Sequence, residues 1–257
     1  MIARCCAILL ATMVLLAAGM PPRASLAQDR HLVEHAYQDL VRSIVRIETR
    51  YVSIFAPPGA GSGVVVGDDG LIATADHVLE GAAEIWVVHP GGQRQRAAIV
   101  KRAPERDLAL LRIEEERSLV PITLRYRAVR PGQCVLALGN VMNWGIGMFG
   151  GIVSLSTCAE GCPAGATRGI LTDITTPPGL SGGALVACAD RSLVGIISFG
   201  IVALSSAATT AGIVGAVPAV EVAKLLSEKL ACAGGAHCFS GAPAAPVVIW
   251  NHSIGRP

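Results

Sequence analysis

The chain has 257 residues and a formal net charge of +2, which falls to zero once Arg4 and Arg23 of an N-terminal leader are set aside. The remaining basic residues are scattered. The densest group, Arg94, Arg96, Lys101 and Arg102, reads as a solvated strand face or loop, so a nucleic-acid partner, which calls for a clustered basic excess, is excluded. Beyond the leader every apolar stretch is broken by Gly, Pro or charge, which leaves no second candidate for a membrane span.

In chain order, Arg4, the apolar run Cys5 to Met20 and Ser25-Leu26-Ala27 form the three regions of a secretory signal peptide, residues 1–27, cut after Ala27. The run falls short of the ~20 apolar residues a spanning helix needs, which disfavours an uncleaved anchor and predicts a periplasmic or secreted protein with no membrane attachment after cleavage. His31 to Ile44 has helical spacing. Val45 to Ile54 then alternates as a strand does, with Val45, Ile47, Thr49 and Tyr51 on one face. From there to about Ala216 short apolar runs are punctuated by Gly, Pro or Asp, the pattern of an all-β sandwich or barrel. Arg117 to Gly132, with Pro121 and Pro131, reads as a link between two halves of similar size. Pro218 to Leu230 carries an apolar stripe at helical spacing and is expected to pack back onto the β-structure. A Gly-, Ala- and Pro-rich tail follows, too short for a further recognition module.

Six cysteines remain outside the leader: Cys134, Cys158, Cys162, Cys188, Cys232 and Cys238. An even number in an exported chain points to disulfides, and six leave fifteen pairings open. A zinc site at Cys232, His237 and Cys238 is disfavoured because no paired Cys-x-x-Cys or His-x-x-x-His accompanies it.

Three segments carry chemistry. His77 stands in Thr74-Ala75-Asp76-His77-Val78, Asp107 opens the alternating run Leu108 to Ile113, and Ser181 lies in Gly179-Leu180-Ser181-Gly182-Gly183. A serine hydroxyl becomes nucleophilic when an imidazole takes its proton, and a carboxylate fixes that imidazole's tautomer. The small residues around Ser181 let the N–H groups of Gly179 and Ser181 converge as an oxyanion hole. Asp68 and Asp69 are weaker candidates for the carboxylate, because Asp69-Gly70 reads as a hairpin turn. Asp76 is expected to cap the short helical turn after it, with a shift of the imidazole pKa as the alternative. Trp86 and Trp144 receive no role. The order His, Asp, Ser matches the double β-barrel hydrolases and neither subtilisins nor α/β-hydrolases.

With these motifs, and with Gly61-Ser62-Gly63, Val135 to Asn140, Gly151-Ile152-Val153-Ser154, Thr172-Asp173-Ile174 and Gly195 to Gly200, the chain resembles chymotrypsin-fold serine proteases of the bacterial HtrA/Deg branch from about Val45 to Leu226. The resemblance implies two six-stranded antiparallel β-barrels with a short N-terminal and a C-terminal helix. The corresponding division is 28–120 for the first helix and barrel, 121–217 for the second barrel, 218–231 for the last helix and 232–257 for the tail. It implies an endopeptidase that acts through an acyl-enzyme on protein or peptide substrates, without metal or cofactor, as a monomer or a homotrimer. It pairs Cys134 with Cys188, which leaves Cys158–Cys162 and Cys232–Cys238 by default. It walls the primary pocket with Ile174, Thr175, Thr176, Ser198, Phe199, Gly200 and Gly212, and it makes Ser198 a support for the triad aspartate. With Thr175 at the pocket base no counter-charge awaits Arg or Lys, so small or medium apolar side chains are favoured.

The chain departs from the family in several ways. No PDZ domain is expected after the last helix, Ala is common where Asp76 stands, and Asn is usual where Leu180 stands. Leu180 is therefore expected to alter substrate contacts near the leaving-group side. No Ile-Val-Gly-Gly follows the leader, so activation by a freed N-terminus is not expected. Two other readings stay open: a latent, chaperone-like binding protein, for which the glycine-rich Asn140 to Gly150 looks mobile enough, and an esterase on the same triad.

Overall fold

The computed structural model describes residues 34–52, 58–114, 119–156, 169–175, 177–201, 204–205, 208–209 and 213–233. The chain divides into two compact units between Asp39 and Leu40. Residues 34–40 are helical (α1), a 3-10 turn Val41–Ser43 follows, and strand begins at Ile44. The helix thus stops short of Ile44, whose β-branched side chain is fully buried at the head of the first strand.

Seven strands follow: β1 (Ile44–Tyr51), β2 (Gly59–Gly67), β3 (Leu71–Thr74), β4 (Ala82–Val88), β5 (Arg94–Arg96), β6 (Ala98–Ala103) and β7 (Leu108–Arg112). Their order in the sheet is β5-β4-β1-β2-β3-β7-β6. The two ends of this sheet are consecutive in the chain, separated by Ala97 alone, whose N–H still donates to Ile85 O at 3.0 Å. Residues 94–103 therefore act as one bent strand, paired first with β4 and then with β7, and the seven segments close a barrel of six strands. Its interior is filled by alternating residues such as Val45, Ile47, Val65, Ile72, Val87, Ala109 and Leu111.

The segment after β7 crosses to the second barrel. Val120 N–H bonds to Arg42 O and Ile122 N–H to Val65 O, then Arg125 N–H bonds to Leu193 O. The second barrel is closed, in the order β10-β15-β12-β11-β8-β9. These strands are β8 (Cys134–Val141), β9 (Gly145–Ser156), β10 (Ile170–Thr172), β11 (Ala184–Ala187), β12 (Leu193–Ile201) and β15 (Ile213–Pro218), with a small hairpin of β13 (Leu204–Ser205) and β14 (Ala208–Thr209) between the last two. Every pairing in both barrels is antiparallel, as a chymotrypsin-like fold requires. Cys134 and Cys188 are bonded, with Cα atoms 5.5 Å apart, across the β8–β11 pair. Cys158, Cys162 and Cys238 lie outside the described residues.

Helix α2 (Ala219–Ala233) lies on the barrels through buried Val222 and Leu225, and Glu228 receives Arg106 Nη2 at 2.9 Å and Lys101 Nζ at 3.2 Å. It extends past the boundary expected at 231 and includes Cys232. The basic group is partnered within the protein as well. Arg94 and Arg96 stack over Trp86 at 4.2 and 5.2 Å, which gives that tryptophan a structural role.

The stretch Asn140 to Gly150, expected to be mobile, is a hairpin paired without a break from Cys134↔Ile152 to Val141↔Gly145. Its turn is closed by Trp144 N–H on Val141 O at 2.7 Å, with the central residues Met142 and Asn143 at φ 48° and 64°, the left-handed pair that a type I′ turn requires. The glycines there belong to a strand, not to a loop.

Candidate active site

His77 sits in the 3-10 turn Asp76–Leu79, separated from the end of β3 by Ala75 alone. Asp107 ends the 3-10 turn Pro104–Arg106 in the left-handed conformation (φ 49°, ψ 47°), one residue before β7. Strands β3 and β7 are paired neighbours, so the two residues emerge side by side at one end of the first barrel. Asp107 Oδ1 accepts the backbone N–H of His77 at 3.0 Å, and both carboxylate oxygens face Nδ1 at 3.0 and 2.9 Å. A carboxylate accepts and cannot donate, so Nδ1 carries the proton and Nε2 presents its lone pair outward. The imidazole is still 44% exposed.

Ser198 Oγ donates to Asp107 Oδ2 from the second barrel. Its orientation has a local cause. In the β12–β15 register Ile197 opposes Ala216 while Phe199 opposes Gly215, which makes Ser198 the extra residue of a β-bulge and turns its side chain out of the alternation.

These contacts set the electrostatics. The hydrogen bond to Asp107 raises the His77 pKa above its usual value against the opposing effect of burial, helped by the charges of Asp107, Asp76 and Glu80. Burial works to raise the Asp107 carboxyl, but the hydrogen bonds from His77 and Ser198 outweigh it and hold the group below the ordinary carboxylate range.

Asp76 does not cap the turn. The N-cap is Ala75, and no side chain caps it. Buried Asp76 instead forks onto Arg102 of β6, at 2.6 Å to Nε and 2.8 Å to Nη2. The alternative considered for this residue, an influence on the imidazole, is the one its charge exerts.

Ser181 lies between β10 and β11. Gly179 and Gly182 adopt φ of 103° and 83°, values that disfavour any side chain. The carbonyls of residues 178–181 have partners: Pro178 O accepts from Met142 N at 3.0 Å, Gly179 O from Ser62 Oγ at 2.7 Å, Leu180 O from Gly183 N and Ser181 O from Ser62 N, both at 2.8 Å. The N–H groups of Gly179, Leu180 and Ser181 donate to no group among the described residues. Carbonyls turned away and amides left open make a local environment suited to a developing oxyanion. Ser181 approaches the His77 turn through the first barrel, since a Cβ on Gly61 would meet Val78 Cγ1 at 2.5 Å and Ser181 O at 3.2 Å. No hydrogen bond joins Ser181 Oγ to the imidazole among the described residues.

Two expectations change here. Leu180 is 1% exposed and packs into the core of the second barrel with Val135, Leu185 and Ile197, so it has no surface to offer a substrate. An apolar side chain at this position is drawn inward by the same burial that builds the barrel. Ile174, expected in the wall of the primary pocket, likewise belongs to that core at 2% exposure. Thr175 is exposed; Phe199 and Gly200 are in β12, while Thr176 and Gly212 lie outside the described residues. The residue that sequence reasoning left without a role is Ser62. It was visible only as the middle of Gly61-Ser62-Gly63, and nothing local announces a bond to Gly179, which lies 117 positions away.

Comparison with known proteins gives a consistent picture. Residues 61–196 match the family described as "Trypsin-like peptidase domain". A Haemophilus influenzae protein named "Serine endoprotease DegS" is 36% identical over 143 residues, 55% of this chain and 42% of that protein. Another from the same organism, "Probable periplasmic serine protease do/HhoA-like", is 31% identical over 175 residues, 67% of this chain and 37% of that protein. The chain thus spans less than half the length of either. Among solved structures, "Crystal structure of the serine endoprotease from Yersinia pestis" matches with a TM-score of 0.64 and 29% identity, covering 77% of this chain and 66% of that one.

Proposed function

The chain belongs to the trypsin-like peptidase family, and we propose that it is an exported serine endopeptidase whose triad is His77, Asp107 and Ser181. The observation that carries this reading is the grip on His77. Asp107 accepts both its backbone and its ring N–H, which fixes the tautomer and leaves Nε2 as the base. In the proposed reaction Ser181 Oγ attacks a substrate carbonyl as its proton passes to His77 Nε2. The tetrahedral oxyanion is met by the N–H groups of Gly179 and Ser181, His77 gives its proton to the leaving amine, and water releases the acyl group by the same route reversed. Asp107 stays ionised and stabilises the imidazolium, with Ser198 holding its second oxygen.

An apolar side chain of small or medium size on the acyl side of the cleaved bond is part of the proposal, supported by the uncharged, exposed Thr175. The names of the relatives and the leader support action on proteins in the periplasm or beyond. The open Ser181 Oγ favours a second reading, a latent resting form that binds proteins and cleaves little.

Intact-mass spectrometry with a fluorophosphonate probe separates the two. One adduct on the wild type and none on Ser181→Ala is the expected result. A folded wild type that takes no adduct would sink the peptidase reading in favour of the latent one.

A further inference from the structure

Ser62 makes four hydrogen bonds from a fully buried position on β2. Its N–H donates to Ser181 O at 2.8 Å, and its carbonyl accepts Thr74 Oγ1 at 2.8 Å. Its hydroxyl donates to Gly179 O and accepts the N–H of Asn140, each at 2.7 Å. The direction of the last two needs no assumption, because an amide N–H can only donate and a carbonyl can only accept. The hydroxyl proton therefore points at Gly179 O.

We propose that Ser62 is a positioning residue that sets the oxyanion loop from the first barrel and ties it to β3, the strand that leads into the turn bearing the general base. This rests on the peptidase reading above. The peptide that joins Gly179 to Leu180 is steered by its carbonyl, and turning that carbonyl onto Ser62 orients the open amides on either side of it. Asn140 of β8 shares the same hydroxyl, so three segments meet on one oxygen: β2, β8 and the nucleophile loop. Thr74, three residues before His77, holds Ser62 from behind.

The surroundings are built to admit this group. A Cβ on Gly182 would lie 2.1 Å from Ser62 O and 2.3 Å from Thr74 Oγ1, and one on Gly139 would lie 2.6 Å from Ser62 Oγ. The glycines at 139 and 182 are thereby explained together with the serine. A hydroxyl that is buried and uses both its donor and an acceptor site holds its partners in one arrangement, and its removal leaves Asn140 N–H and Gly179 O without their bonds.

The test has two arms. Ser62→Ala is expected to lower kcat by roughly 10- to 100-fold, below or near the loss of one oxyanion donor, while KM changes by less than about two-fold. A folded Ser62→Ala with kcat within about two-fold of wild type would overturn the inference. The second arm needs neither activity nor a stable variant. In wild-type protein the Asn140 amide, whose acceptor is the Ser62 hydroxyl, should exchange with deuterium as slowly as the amides of β11. Fast exchange there overturns the positioning role. An inert wild type would count against the peptidase reading, and the exchange data would then decide this inference alone.

Discussion

Replacing both Cys134 and Cys188 by serine tests what the described disulfide contributes. The bond closes a loop across a sequence separation of 54 residues. In the chain-entropy account, cross-linking a loop of that size withdraws about 4 kcal/mol of freedom from the unfolded chain. The folded state has little reason to change. Four backbone pairings, from Ala184↔Leu138 to Ala187↔Val135, hold β8 to β11, and Cys188 N–H still reaches Cys134 O at 3.2 Å. Cys134 is exposed, so serine there leaves no polar group without water. The assay is urea unfolding of the variant and the wild type, followed by heat. The variant should lose about 2–4 kcal/mol, its Tm should fall by roughly 4–16 °C, and its m-value should rise because the unfolded chain expands. The bridge sits at the end of β8 opposite Asn140, so phosphonate labelling of Ser181 should be kept. A loss below about 1 kcal/mol with an unchanged m-value would refute the reasoning, since the constraint on the unfolded chain is its only source.

Two further outcomes follow from the site. Protonated His77 cannot take a proton from serine, so activity rises as pH climbs through its pKa. Asp76→Asn removes a negative charge that favours the imidazolium and should move the acid limb of the kcat/KM profile to lower pH. Arg102→Gln frees the field of Asp76 and should move it to higher pH; shifts in the opposite directions would show that Arg102 and Asp76 act on His77 by another route. Leu180→Asn, which restores the residue usual in the family, should cost about 2–4 kcal/mol in urea melts because an amide replaces a buried aliphatic group in the barrel core, and an unchanged midpoint would contradict that placement.

How much could be read in advance depended on the range of each signal. The β-rich fold was legible because alternation and turn residues are local, as in Val45 to Tyr51 against Asp69-Gly70. The region around each of His77, Asp107 and Ser181 was legible for the same reason, since each stands in its own short motif. What escaped were relations set by packing between distant segments. Asp76 looked like a cap because caps are local, yet Arg102, 26 residues on, offered a fork of two bonds. Leu180 looked like a surface residue of a polar loop, but the loop's left-handed glycines turn it into the core. The glycines from 145 to 150 suggested mobility, and only the partner strand β8 reveals them as paired. The bend at Ala97, which closes the first barrel, has no marker in the residue itself.

Asp107 stands in a left-handed backbone that few residues with a side chain enter, asparagine and aspartate being the usual ones and glycine the unrestricted alternative. Its carboxylate is at the same time the group that grips His77. Selection for a folded chain and selection for a working one would therefore leave different marks at this single codon. A library screened for solubility or protease resistance should return Asp, Asn and Gly there, whereas one screened for turnover should return Asp alone. Position 107 is thus where tolerance for shape and tolerance for charge separate, and the gap between the two screens measures the carboxylate's chemistry free of its backbone.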